Sequence, residues 1–132
     1  MFRWFKRGSR PPEGPDFSDV DSLAKARELA EQGRLERMFL MPPEFGGHDI
    51  PPNVVYVPPG MAAVKSGIDE NVVGPLAREG KVTRYIATPE YQGRSFIPIA
   101  VTIVASDPGE FTATINLLGD ALRRGAPGSV SE

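Results

Sequence analysis

Residues 81–118, KVTRYIATPEYQGRSFIPIAVTIVASDPGEFTATINLL, decide the fold. Residues 81–87 alternate, with Val82 and Ile86 on one face and Thr83 and Tyr85 on the other, the period of a half-buried strand. Residues 95–106 form a second strand. It is broken or edged at Pro98, because proline cannot donate to a ladder. Ile97, Ile99, Val101 and Ile103 share one face, and Phe96, Ala100 and Val104 the other, so beyond Pro98 this strand belongs in the middle of the sheet. Asp107, Pro108 and Gly109 supply a turn of hairpin length. Residues 110–117 then alternate Phe111, Ala113, Ile115 and Leu117 inward against Thr112, Thr114 and Asn116 outward. Three consecutive strands joined by short turns predict an antiparallel meander.

Upstream, Val64, Ile68, Val72 and Leu76 recur every four residues and predict a helix over residues 60–80 with one apolar stripe facing the sheet. Gly74-Pro75 should kink or restart it. An earlier helix is expected over residues 23–32, started by Ser18 or Asp19 and closed by Gly33. Between the helices lie two short apolar runs, residues 35–41 and 53–57, the second bounded by prolines on both sides. The expected fold class is α+β, an antiparallel β meander packed with two helices. Residues 1–16 read as a basic-aromatic arm and proline-glycine linker, residues 17–122 as one domain, and residues 123–132 as a disordered tail.

The 132 residues carry a net charge of −2, no cysteine and one histidine. Disulfide scaffolds, thiolate metal sites, cysteine nucleophiles and multi-histidine metal centres are thereby excluded, and a broad basic nucleic-acid surface is not expected. The pattern of a glycine-rich phosphate loop and the GxSxG elbow are both missing from the sequence. The arm holds Phe2, Trp4 and Phe5 among Arg3, Lys6 and Arg7, a pattern that suits weak contact with an anionic membrane surface. It lacks the apolar run of a secretory signal, so the expected compartment is the cytoplasm.

Chemistry-bearing residues concentrate in two places. The first is PPEFGGHDIPPNVVYVPP, residues 42–59, with the lone His48 beside Asp49 and with Glu44 and Asn53 near by. An imidazole among oxygens can hold one divalent ion or act as a base. The same residues also make a rigid loop, in which Gly46 and Gly47 permit tight backbone and Asp49 and Asn53 anchor main-chain groups. The second is a basic-aromatic group, Arg84, Tyr85, Tyr91 and Arg94, flanking the first turn of the meander. Tyrosine and arginine are typical anchors for a protein partner.

The stretch FGGHDIPPNVVYVP, the helix after it, and EGKVTRYIATPEYQGRSFIPIAVTIVAS resemble bacterial DNA/RNA non-specific endonuclease domains of polymorphic toxins. The matching residues are Phe45, Gly46, Gly47, Asp49, Asn53, Val54 and Val55, then Gly80, Lys81, Val82, Pro89, Tyr91, Gly93, Ser95 and Pro98, spanning about residues 44–105. In that family an Asp-Arg-Gly-His motif precedes the FGG turn and its histidine activates water. A metal-binding asparagine follows the Asn-apolar segment. Here the corresponding segments are FLMPPE, residues 39–44, and Met61-Ala62-Ala63, which offer neither group. The resemblance therefore implies a degenerate relative, with no catalytic residue, metal or cofactor.

The expected function is that of a non-catalytic small bacterial interaction protein, an accessory or immunity-type protein of a toxin locus whose partner is another protein rather than nucleic acid. Two alternatives stand beside it. One is a metal-dependent nuclease using His48 and Asn71 from shifted positions; the other is a peripheral membrane module working through the arm.

Overall fold

The computed structural model describes residues 17–118 and 130–131. The arm and linker, residues 1–16, and most of the tail, residues 119–129 and 132, lie outside the described residues. The elements are α1 (Leu23–Glu31), β1 (Glu36–Phe39), β2 (Val54–Val57), α2 (Met61–Ile68), a π turn (Asp69–Val73), α3 (Gly74–Arg78), β3 (Val82–Glu90), β4 (Ala100–Pro108), β5 (Glu110–Asn116) and β6 (Val130–Ser131). β1 and β2 pair antiparallel as a small sheet, and a second antiparallel sheet runs β3-β4-β5-β6. The architecture is α+β, with the expected meander and with α2, the π turn and α3 forming one continuous second helix. Val130–Ser131, expected within the unstructured tail, instead pair with Thr114 and Ile115 of β5. That ladder occupies an edge that β5 would otherwise present without a partner.

Local chemistry explains the element boundaries. The Ser22 hydroxyl caps α1 by accepting the Lys25 N–H at 3.2 Å. Gly33, at φ 78°, closes α1 with the paired bonds Gly33 N–H to Ala30 O and Arg34 N–H to Leu29 O, a Schellman arrangement. The start of α2 lacks a capping side chain of its own. Glu36 on β1 reaches across instead, its Oε2 accepting the N–H groups of Gly60 at 3.0 Å and Ala62 at 2.9 Å.

Pro98 delays the β4 ladder to Ala100. Ile97, Pro98 and Ile99 are nonetheless buried, and Val101 and Ile103 behind them are fully buried in the central strand.

The second helix departs from the sequence reading. Val64, Ile68 and Leu76 pack partly against the core, but Val72 is exposed, and the buried side chains are those of Lys65, Asp69 and Val73, with Gly74 buried beside them. The buried set keeps the four-residue spacing but sits one residue further along, about 100° round the helix from the expected stripe. A π turn falls within this stretch: the Gly74 N–H bonds Asp69 O, five residues back. It explains how Pro75 is tolerated, since the widened turn precedes the residue that lacks an N–H, and the rod continues as α3.

Candidate functional site

Two features stand out: a groove on the surface and, separate from it, a closed polar cluster. The groove, of about 350 Å³, runs between α1, the β1–β2 sheet and the segment after β3. Leu23 and Arg27 come from α1, Arg37 from β1, Tyr56 from β2, and Tyr91 and Phe96 from the turn after β3. This turn is held in place by main-chain chemistry. The Phe96 N–H donates to Val20 O at 2.7 Å, and the Ser95 hydroxyl donates to Phe17 O at 2.9 Å, tying it to the chain just before α1.

Tyr91 and Phe96 are each 47% exposed, and Ile50 at the loop tip is 50% exposed. Arg37 pairs with Asp49, with both side chains well exposed. Its guanidinium also lies 5.9 Å from the centroid of the Phe39 ring. Arg27 has no ion pair within 4.0 Å among the described residues.

The loop that delivers Asp49 is stapled by Asn53. The Asn53 amide accepts the Met41 N–H at 2.7 Å and donates to Met41 O at 2.9 Å and to His48 O at 3.0 Å. Gly47 passes so close to the Met41 carbonyl that a Cβ would lie 1.8 Å from its oxygen. Gly46 takes φ 100°, which favours glycine. Phe45 leaves the loop for the interior, and its ring meets that of Tyr85 edge-on at 5.2 Å between centroids.

Below Phe45 lies the cluster. Lys65 Nζ donates to Asp69 Oδ2 at 2.7 Å and to Tyr85 Oη at 2.8 Å, and the Tyr85 hydroxyl donates to Asp69 Oδ1 at 2.7 Å. The Lys65 and Asp69 side chains are each 2% exposed. Burial lowers the Lys65 ammonium from its ordinary range, while its bond to Asp69 opposes that shift. Burial, and then the bond to Asp69, push the Tyr85 phenol far above the ordinary tyrosine range. An ammonium, a carboxylate and a phenol at bonding distance are the parts of a proton-transfer site. In this closed ring each satisfies the others, and the arrangement clamps the second helix to β3.

The Tyr85 shift has a readable consequence. The unfolded chain releases this proton near the usual value of about 10, whereas the folded chain keeps it, so the stability tied to Tyr85 is present below that pH and is lost above it. Lys65, shifted downward, acts in the opposite sense, and its contribution changes at and below its ordinary value of about 10.5, so the phenol should be read directly. In an alkaline absorbance titration, Tyr85→Phe should remove the last phenol to ionise and leave the earlier part of the curve unchanged. Loss of an early step instead would mean that the cluster is open to water.

The other residues singled out in the sequence fall as follows. His48 and Asn71 are both exposed, one in the loop and one in the π turn, and no bond among the described residues joins their side chains. Among the described residues there is no group of three or more His, Cys, Asp and Glu able to hold a metal ion. Of the four residues flanking the turn, Arg84 sits on the outer face of the sheet, 3.4 Å from Asp107, while Tyr85 points into the cluster. Tyr91 alone lines the groove. Arg94 lies near Asp21, whose carboxyl is held below its usual range chiefly by Lys25 and to a lesser degree by Arg94.

The sequence reading missed Lys65, Asp69, Arg27 and Arg37. Lys65 and Asp69 carried one signal, an opposite-charge pair four apart on a helix, and this ordinarily marks a solvated face. Among the described residues no helix is long and apolar enough to cross a membrane. Comparison with protein-family models, with curated proteins and with solved structures finds no match for the chain.

Proposed function

We propose that this chain is a small non-catalytic interaction domain that binds another protein through the groove between α1, β2 and the 91–96 turn. The occupant is an extended segment with a carboxylate beside an aromatic or aliphatic side chain. One observation carries this reading: Arg27, without an ion pair among the described residues, converges with Arg37 on the half-exposed rings of Tyr91 and Phe96. Arginine and aromatic side chains around a desolvated pocket are the usual energetic centre of an interface. Asp49 gives up Arg37 at little cost, because an exposed ion pair contributes at most about 1 kcal/mol. In this reading the likeness to toxin endonuclease domains extends to turn and strand residues only. The chain then serves as an accessory or immunity-type protein of a bacterial toxin locus.

Selection from a displayed random-peptide library tests the proposal. Enriched peptides should combine Asp or Glu with an aromatic or aliphatic residue. Arg27→Glu and Phe96→Ala should each weaken their binding about tenfold or more, equivalent to about 1.4 kcal/mol. Binding that survives both substitutions would place the site elsewhere and refute the groove.

A further inference from the structure

Among the described residues, one edge of the main sheet is left without a neighbouring strand. β3 is nine residues long and pairs only with β4 among the described residues. Main-chain bonds fix which of its groups face outward. At the two ends of the β4–β5 ladder, Leu117 N–H donates to Ile99 O and Asp107 N–H to Gly109 O, both at 2.8 Å. Peptide groups of odd-numbered β4 residues therefore point to β5 and those of even-numbered ones to β3, as alternation in an antiparallel ladder requires.

In the β3–β4 register, Arg84, Ile86, Thr88 and Glu90 face Ser106, Val104, Thr102 and Ala100, so the even residues of β3 are the ones engaged. The N–H and C=O groups of Thr83, Tyr85 and Ala87 are left on the open side. Pro89, which has no N–H, falls on that side too, where a strand tolerates it. The side chains of Arg84, Ile86, Thr88 and Glu90 are all exposed, and Ile86 is the most exposed large apolar residue described, at 62%.

We propose that β3 pairs antiparallel with β3 of a second copy of this chain, about a two-fold axis at Ala87. The sequence is self-complementary in that register. Arg84 of each copy falls opposite Glu90 of the other, and Ile86 opposite Thr88, all on the exposed face. Central Ala87 exchanges both of its main-chain bonds with its symmetry mate. Tyr85 donates to Pro89 of the other copy, so the missing donor falls at the flank of the ladder. Directly opposed cross-strand pairs are the unit of sheet stabilisation, and like charges placed opposite each other are destabilising. A two-fold interface uses each such pair twice. The contact is a strand edge rather than a broad face, so association belongs at the weak end of protein interfaces.

Sedimentation equilibrium of the full chain, run into the upper micromolar range, tests this. The wild-type chain should form a dimer. Arg84→Glu, which sets a second carboxylate against Glu90, should raise the dissociation constant about tenfold or more. The swap Arg84→Glu with Glu90→Arg should restore it. Ala87→Pro should abolish dimerisation while circular dichroism shows the fold retained, because the Ala87 N–H lies on the open side. A monomeric wild-type chain would overturn the proposal. So would a dimer indifferent to Arg84→Glu, or a swap that fails to restore it.

Discussion

Asp69→Ala is expected to destabilise the fold by about 3–5 kcal/mol, the cost of leaving a buried charge without its partner. The charge left behind is the Lys65 ammonium, 2% exposed, with only the Tyr85 hydroxyl still bonded to it. Burying an ion pair is by itself weak support for a fold, since desolvation of both charges offsets most of their attraction. The informative comparison is therefore the triple variant Lys65→Met, Asp69→Leu, Tyr85→Phe, which removes all three polar ends and keeps the packing volume. Its stability should lie within about 2 kcal/mol of wild type, or exceed it. Urea midpoints of the two variants measure the difference. An Asp69→Ala protein nearly as stable as wild type would mean that Lys65 reaches water by rearrangement and that the cluster does not clamp the helix.

A loss of similar size is expected for Val101→Asp, for a different reason. Val101 is fully buried in β4, between Pro89 of β3 and Ile115 of β5. Among the described residues the buried cation is Lys65, already paired with Asp69, so a carboxylate at 101 is left unpaired and costs several kcal/mol. The adjacent residue points the other way. Thr102 is half-buried on the outer face, its hydroxyl 3.0 Å from that of Thr114. Thr102→Asp should cost about 1 kcal/mol, the value of a typical hydrogen bond, because water can solvate the new charge. Denaturant midpoints separate the two. Equal losses would show that both faces of the sheet are dry at this point, and a harmless Val101→Asp would contradict the strand register.

How much of this was legible in the sequence depends on the range over which the signal acts. The meander was, because period-two alternation in residues 110–115 and the turn at Asp107-Pro108-Gly109 are local; the alternation fails at Asn116, which was expected outward and is fully buried. Gly33 as the closing residue of α1 was, because a left-handed position after an apolar run is a glycine signature. Asn53 as a loop anchor was readable in kind, though its partners Met41 and His48 were not.

The side of the second helix that faces the sheet was not legible. Apolar spacing ranked Val72 above Asp69, and nothing local announces a π turn. A lysine four residues before an aspartate reads as a solvated pair until Tyr85, sixteen residues further on and on another element, supplies the third member. The groove was hidden for the same reason. Arg27, Arg37, Tyr91 and Phe96 come from α1, β1 and the turn after β3, and only tertiary packing brings them together.

Binding at that groove is the central claim, and nitrogen-15 chemical-shift mapping with a selected acidic-aromatic peptide tests it directly. Shifts should concentrate at Arg27, Arg37, Tyr56, Tyr91 and Phe96, with the outer face of β4 and β5 unmoved. Shifts centred on Phe45, Asp69 and Tyr85 instead, or spread without a focus, would contradict it.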